Sequence, residues 1–258
     1  MDTVLFSVEN HIATITMNRP EALNALNTAL RQDMVEAWKR VNEDDEIRVG
    51  IITGAGRAFC SGGDLKEIEQ RRKEGQPPRQ EVPGPGGIGF EATPSEVYKP
   101  LIAAVNGPAA GLGLGVAVFS DVLIAAESAV FVPSFVARGV LSPAIVARLM
   151  QRVPVGWAMW MALSGARIDA QTALRIGLVN EVVPQGELLD RAYEMAERIV
   201  ANSYVAVLAT KEKMLQTLEH TMAQALAEDG VFAQAHRNRS EAGEGFSAFA
   251  EKRRAQFQ

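Results

Sequence analysis

Cysteine is nearly missing from this chain. Cys60 is the only one in 258 residues, so no disulfide can form within it, a usage that fits a reducing, cytoplasmic setting. The three histidines, His11, His220 and His236, show no His-x-x-x-His spacing and offer no metal-ligand cluster with a lone cysteine. No apolar run reaches about 18 residues, which argues against a membrane-spanning helix. An excess of positive charge is absent too: the formal net charge is −5, so the chain has no global attraction for nucleic acid or an anionic membrane, and any anionic ligand needs a local basic patch. Neither a P-loop nor a Gly-x-Ser-x-Gly nucleophile elbow occurs. Residues 1–19 lack the basic start and long apolar stretch of a signal peptide, and their alternation reads as strand.

What is present is a chain with 47% hydrophobic and 22% charged residues, enough to bury a sizeable core. Val4, Phe6 and Val8 alternate, as do Ile12, Thr14 and Thr16, which predicts a hairpin through Glu9-Asn10. From Asn27, a fitting N-cap, the spacing of Leu30, Met34, Ala37, Trp38 and Val41 is that of an amphipathic helix. Two short apolar strands, 48–53 and 101–105, each run into glycine, and strand, glycine turn and helix in repetition predict an α/β core. Helical patterns dominate from Ala144 onward, interrupted by a strand over 179–183. Residues 75–94 hold much of the proline and glycine. They read as a long loop, either a lid or binding segment or an insertion without a role.

Two glycine-rich segments about fifty residues apart carry the chemistry: Phe59-Cys60-Ser61-Gly62-Gly63-Asp64-Leu65-Lys66-Glu67 and Asn106-Gly107-Pro108-Ala109-Ala110-Gly111-Leu112-Gly113-Leu114-Gly115. Backbone N–H groups at strand-to-helix turns point into open space, and two aimed at one spot make an oxyanion hole. By themselves the glycines of the second segment also fit a dinucleotide turn, with 122–126 as the next strand and Glu127 beyond it, or simply close packing of a helix on a sheet.

Together with Met17-Asn18-Arg19-Pro20-Glu21-Ala22-Leu23-Asn24-Ala25-Leu26, Ala126-Glu127-Ser128-Ala129-Val130-Phe131 and Phe249-Ala250-Glu251-Lys252-Arg253, the two turns make the chain resemble the crotonase (enoyl-CoA hydratase/isomerase) superfamily over nearly its whole length. The resemblance implies an α/β fold, the ClpP-like spiral of repeated ββα turns, with a core over 1–184 holding an acyl-CoA site and a helical C-terminal trimerisation region over 185–258. It implies backbone oxyanion-hole donors at Gly63 and Leu112. It also implies coenzyme A contacts from Arg19, Arg57 and Lys66 near the first turn and from Phe249 and Lys252 near the C-terminus, often of a neighbouring subunit. No separate cofactor or metal is implied, the coenzyme A thioester being substrate or ligand. The assembly implied is a homotrimer or a dimer of trimers, for which the apolar stretch 157–163 is either core or interface.

The chain departs from the family's hydratases where they place their two glutamates. Alignment on Asn106-Gly107 puts the first at Gly115, and alignment on Ala129-Val130-Phe131 puts the second at Phe135. Neither residue can transfer a proton. Ser142, Pro143 and Ala144 occupy the stretch where family isomerases and dehalogenases carry a carboxylate, and no Asp or Glu lies between Ser128 and Gln151. Possible substitutes are Glu81, Glu91 and Glu96, in or beside the loop, with Ser134 and Ser142 as hydrogen-bonding hydroxyls of the acyl pocket. Three expectations stand side by side: an enzyme acting on an acyl-CoA, in fatty-acid or aromatic-acid metabolism, by a route other than two-glutamate hydration; a non-catalytic acyl-CoA-binding or regulatory homologue; and a protein that keeps only the assembly surfaces.

Overall fold

The computed structural model describes residues 1–76, 93–219, 222–237 and 241–257. The opening alternation forms the expected hairpin, β1 (Val4–Glu9) and β2 (Ile12–Met17), paired antiparallel from Val4 opposite Met17 to Glu9 opposite Ile12. Asn10 and His11 turn it in the left-handed region, at φ 50 and 66. In α1 (Thr28–Glu43) the Asn27 side chain accepts from Leu30 N, and the buried residues are the predicted Leu30, Met34, Ala37, Trp38 and Val41.

Beyond them the chain winds as a spiral. β3 (Val49–Gly54) is followed by α2 (Leu65–Lys73). Next come β4 (Leu101–Val105), β5 (Ala109–Ala110) and α3 (Leu112–Phe119). The third turn is β6 (Val122–Ala126), β7 (Val130–Val132) and α4 (Pro143–Arg152). Then α5 (Val155–Ser164), β8 (Ile168–Asp169), α6 (Ala170–Arg175) and β9 (Glu181–Val183) complete the layers. The large sheet has the order β1-β2-β3-β4-β6-β9, and every pairing after the hairpin is parallel. A second sheet, β5-β7-β8, is extended by isolated parallel bridges from Cys60 to Ala109 and from Leu26 to Gly63. Each turn therefore lends one segment to each sheet before its helix, the ββα repeat expected of the sequence. The long apolar strands were legible, but β5, β7 and β8, of two or three residues, are too short to show a period.

Helices dominate the C-terminal part: α7 (Leu188–Val200), α8 (Tyr204–Glu219), α9 (Met222–Arg237) and α10 (Ala242–Ala250). The first of these lies on the sheet, where Leu188, Ala192 and Ala196 pack on Ile12, Ile51, Ile102 and Ile124. Lys211 anchors α8 by donating to Val97 O (2.8 Å), Lys99 O (2.9 Å) and Asp121 Oδ2 (2.6 Å). The stretch 157–163 divides its faces: Ala158 and Met161 are buried, while Met159, Trp160 and Leu163 are exposed.

Two buried amides hold the chain between β3 and Cys60. Asn24 donates from Nδ2 to Ala55 O (2.9 Å) and Ala58 O (2.8 Å) and accepts from Arg19 N (2.9 Å). Asn106 donates to Gly54 O (2.8 Å) and Gly56 O (2.9 Å), and its Oδ1 accepts from Gly54 N (3.2 Å). Turn carbonyls buried away from water require such donors. Replacing Asn106 with Ala strands several of them, and we expect a loss of about 2–4 kcal/mol in urea unfolding; a loss no larger than that of an exposed polar truncation would contradict the clamp.

Candidate functional site

The site forms where two backbone turns meet. Gly62, at φ +101, and Gly111, at φ +51, both take left-handed conformations that disfavour a side chain. A β-carbon placed on Gly62 would lie 2.8 Å from Ala110 O and 3.5 Å from Leu112 N, and one on Gly113 would lie 2.2 Å from Cys60 O. The backbones touch because nothing projects between them. The packing role of these glycines and the exposure of a helix N-terminus are therefore two consequences of one arrangement.

The donors follow from the pairing. Gly63 bridges Leu26 through its neighbours: Leu26 N donates to Gly62 O (2.7 Å) and Asp64 N to Leu26 O (3.2 Å). Gly63 N itself takes no part. Leu112 is the first residue of α3, where an N–H has no intrahelical acceptor, and Gly111 supplies no side-chain cap. Among the described residues neither N–H has an acceptor, and both residues are only partly buried. Two such donors, one carrying the positive end of a helix dipole, suit an oxygen that gains negative charge.

Around them the walls are mostly apolar. A β-carbon on Gly63 would meet Ile68 Cδ1 at 3.2 Å, Leu112 Cδ1 at 3.8 Å and Arg31 Nη2 at 3.9 Å. One on Gly111 would meet Ser134 Oγ at 3.3 Å and Phe135 Cε1 at 3.9 Å. Gly115 is buried one turn into α3. Arg148 Nε (3.2 Å) and Arg152 Nε (2.9 Å) on α4 both donate to Val118 O, setting α4 beside α3. At the start of α4, Ser142 is 1% exposed, and its Oγ is the only buried side-chain polar atom without a hydrogen bond among the described residues. Cys60 is inert as a nucleophile, since burial pushes its thiol up to about 12.

The other predicted residues divide. Arg19 is committed to the first turn, donating from Nη1 to Ala25 O (2.5 Å) and to Asp64 Oδ2 (3.1 Å). Arg57 and Lys66 are exposed beside that turn. Phe249, 88% exposed, and Lys252 lie at the end of α10. Glu96 is exposed, and its carbonyl accepts from Asn42 Nδ2 (3.0 Å) at the far end of α1. That is about 16 Å along the helix axis from Arg31, so the structure does not bring Glu96 to the glycine turns. Glu81 and Glu91 lie outside the described residues. No group of three or more His, Cys, Asp or Glu side chains able to hold a metal ion occurs among the described residues, and no helix among them is long and apolar enough to cross a membrane. Sequence reasoning missed Arg31, because on an amphipathic helix an arginine at its position reads as a solvated side chain.

Comparison with known proteins agrees with this fold. The family model described as enoyl-CoA hydratase/isomerase matches residues 7–258. The chain is 36% identical to (E)-benzylidenesuccinyl-CoA hydratase of Thauera aromatica, covering 98% of each chain. It is 37% identical to carnitinyl-CoA dehydratase of Proteus mirabilis, covering 94% of this chain and 93% of that one. The crystal structure of an enoyl-CoA hydratase from Mycobacterium tuberculosis H37Rv superposes with a TM-score of 0.89 at 34% identity, covering 100% of this chain and 99% of that one. The chain belongs to the enoyl-CoA hydratase/isomerase family and has the crotonase fold.

Asp64 fixes the first turn, because its side chain also accepts from Lys66 N (3.1 Å) and Glu67 N (3.4 Å) as the N-cap of α2. Partial burial pushes its carboxyl up, but the Arg19 hydrogen bond and charge and the two backbone donors outweigh that and hold it below the ordinary 3.8. A depressed folded-state value means stabilisation that is present above 3.8 and lost as pH falls through the folded value. Asparagine can still cap the helix, so Asp64→Asn should cost about 1–2 kcal/mol at neutral pH through loss of the charged contact with Arg19 and the helix N-terminus. Urea unfolding of both proteins should show the gap closing below pH 3.8, and a gap constant down to pH 2 would contradict the assignment.

Proposed function

We propose that this member of the enoyl-CoA hydratase/isomerase family acts on an acyl-CoA thioester, holding its carbonyl oxygen between the N–H groups of Gly63 and Leu112, by a route other than proton transfer through paired glutamates. The observation that carries the reading is the pair of backbone donors that have no acceptor among the described residues, at turns packed too closely for side chains. Donation by both groups stabilises negative charge on that oxygen, and so an enolate at the carbon next to it. Each donor is worth about 3 kcal/mol at the transition state.

The two-glutamate route is disfavoured because Gly115 and Phe135 stand at the aligned positions. Phe135 gives the pocket an apolar wall beside Gly111, which suits an aromatic or branched acyl chain. The hydroxyl of Ser134, beside Gly111, and that of Ser142, without a hydrogen bond among the described residues, can orient a polar atom, but no basic partner among the described residues would make them nucleophiles. Arg57 and Lys66 would meet the nucleotide arm from this subunit. Phe249 and Lys252 would meet it from α10 of a neighbour in a trimer or paired trimer, in which the region 185–258 and the exposed face of α5 mediate assembly. Relatives named as a hydratase and a dehydratase of acyl-CoA esters favour catalysis on the acyl chain of such an ester. The absence of both aligned glutamates keeps a second reading, an acyl-CoA-binding homologue without turnover.

Incubation with saturated, α,β-unsaturated, β,γ-unsaturated and aromatic acyl-CoA esters separates these. We expect one class to be converted, with little hydration of crotonyl-CoA. Binding without conversion of any class would select the second reading, and failure to bind any ester would overturn both. Leu112→Pro provides a sharper test, since proline is tolerated at the first position of a helix but has no N–H to donate. The variant should lose about 10²–10³ in turnover with its melting temperature little changed. Undiminished turnover would remove Leu112 from the site.

A further inference from the structure

Arg31 is a cation that borders the space in front of Gly63. Its Nη2 lies 3.9 Å from the point a Gly63 β-carbon would occupy. It is held there by its own element: Asn27 caps α1, Arg31 N donates to Asn27 O (3.1 Å), and Arg31 Nε donates to Leu26 O (3.4 Å). Leu26 O is the carbonyl that also receives Asp64 N. The same short segment thus fixes both Gly63 and the guanidinium. The other two of the three atoms nearest that point are apolar, Ile68 Cδ1 and Leu112 Cδ1. Arginine does not deprotonate in proteins. Its planar fork matches a carboxylate in a two-point contact.

We infer that Arg31 determines specificity for an acyl group that carries its own carboxylate a few bonds beyond the thioester carbonyl. The inference rests on the reading above, with the thioester carbonyl at Gly63 and Leu112. Given that placement, a carboxylate two or three bonds along the acyl chain stays beside Gly63, within reach of the guanidinium. The phosphates of coenzyme A do not, because the whole pantetheine arm separates them from the thioester sulfur. A site that hydrogen-bonds a charged substituent also discriminates against analogues that lack it more strongly than an apolar pocket discriminates by size.

The test is calorimetric titration of the full-length protein with succinyl-CoA, its uncharged match butyryl-CoA, and free coenzyme A. Succinyl-CoA should bind the wild type more tightly than butyryl-CoA. In Arg31→Gln that preference should fall by about ten- to hundredfold, with Arg31→Lys in between because an ammonium keeps the charge but not the fork. A wild type that binds butyryl-CoA as well as succinyl-CoA overturns the inference without any variant, so it stays testable if Arg31→Gln fails to fold. Equal losses for both esters and for free coenzyme A would also overturn it, showing a contact to phosphate or a structural role. Failure of the wild type to bind any of the esters would overturn the reading of the site itself, whereas binding without the preference removes only the role of Arg31.

Discussion

The site depends on one steric constraint: two stretches of backbone must approach closely enough that no side chain fits between them. Gly113 lies against the carbonyl of Cys60, and Gly62 lies against the carbonyl of Ala110. In the proposed reading, opening either approach would move the N–H groups of Gly63 and Leu112 apart. Much of the surrounding structure serves that approach. Asn24 and Asn106 satisfy the carbonyls of the turn that leads to Cys60. Arg19 and Asp64 lock the start of α2, and Glu67 accepts from Thr28 N (2.8 Å), tying α2 to α1. Preorganised donors of this kind need no rearrangement when charge develops, which is why they are effective in a partly desolvated site.

The constraint also explains which parts were legible in the sequence. The hairpin and α1 have clear periods, and the strands before each glycine segment are continuous apolar runs, buried at every position. The glycines at 62, 111 and 113 were visible as a pattern, but pattern alone left open a dinucleotide turn, close packing or an oxyanion hole. The structure shows close packing and exposed donors together. The pairing of Leu26 with Gly63 is a single bridge between distant residues, for which local sequence has no signal. Arg31 stayed hidden for a related reason: its helical position says solvent, and only the tertiary placement of α1 against the first turn puts its guanidinium beside Gly63. The resemblance of the whole chain to the crotonase superfamily supplied what periodicity could not, the register of the two turns.

Electrostatics at the site are built locally, against the trend of the whole chain. With a net charge of −5, attraction for the anionic thioester of the proposed reading would have to come from placed groups: a helix N-terminus at Leu112, the N–H of Gly63, and cationic side chains nearby. The segment from β7 into α4 is correspondingly free of carboxylates, with no Asp or Glu between Ser128 and Gln151. In the proposed reading the fold keeps the part of the machinery that polarises a carbonyl while the side chains that would move protons have changed. This is consistent with a fold whose backbone geometry is common to many reactions and whose side chains choose among them.

The most direct measurement of the central claim is the carbonyl stretching frequency of a bound acyl-CoA carrying ¹³C at the thioester carbon, by isotope-edited infrared difference spectroscopy. Two donors aimed at that oxygen predict a clear shift to lower frequency on binding, relative to the free ester in water. A bound ester whose carbonyl band stays at its solution position would contradict the account, because the ligand would then be held without contact to Gly63 and Leu112.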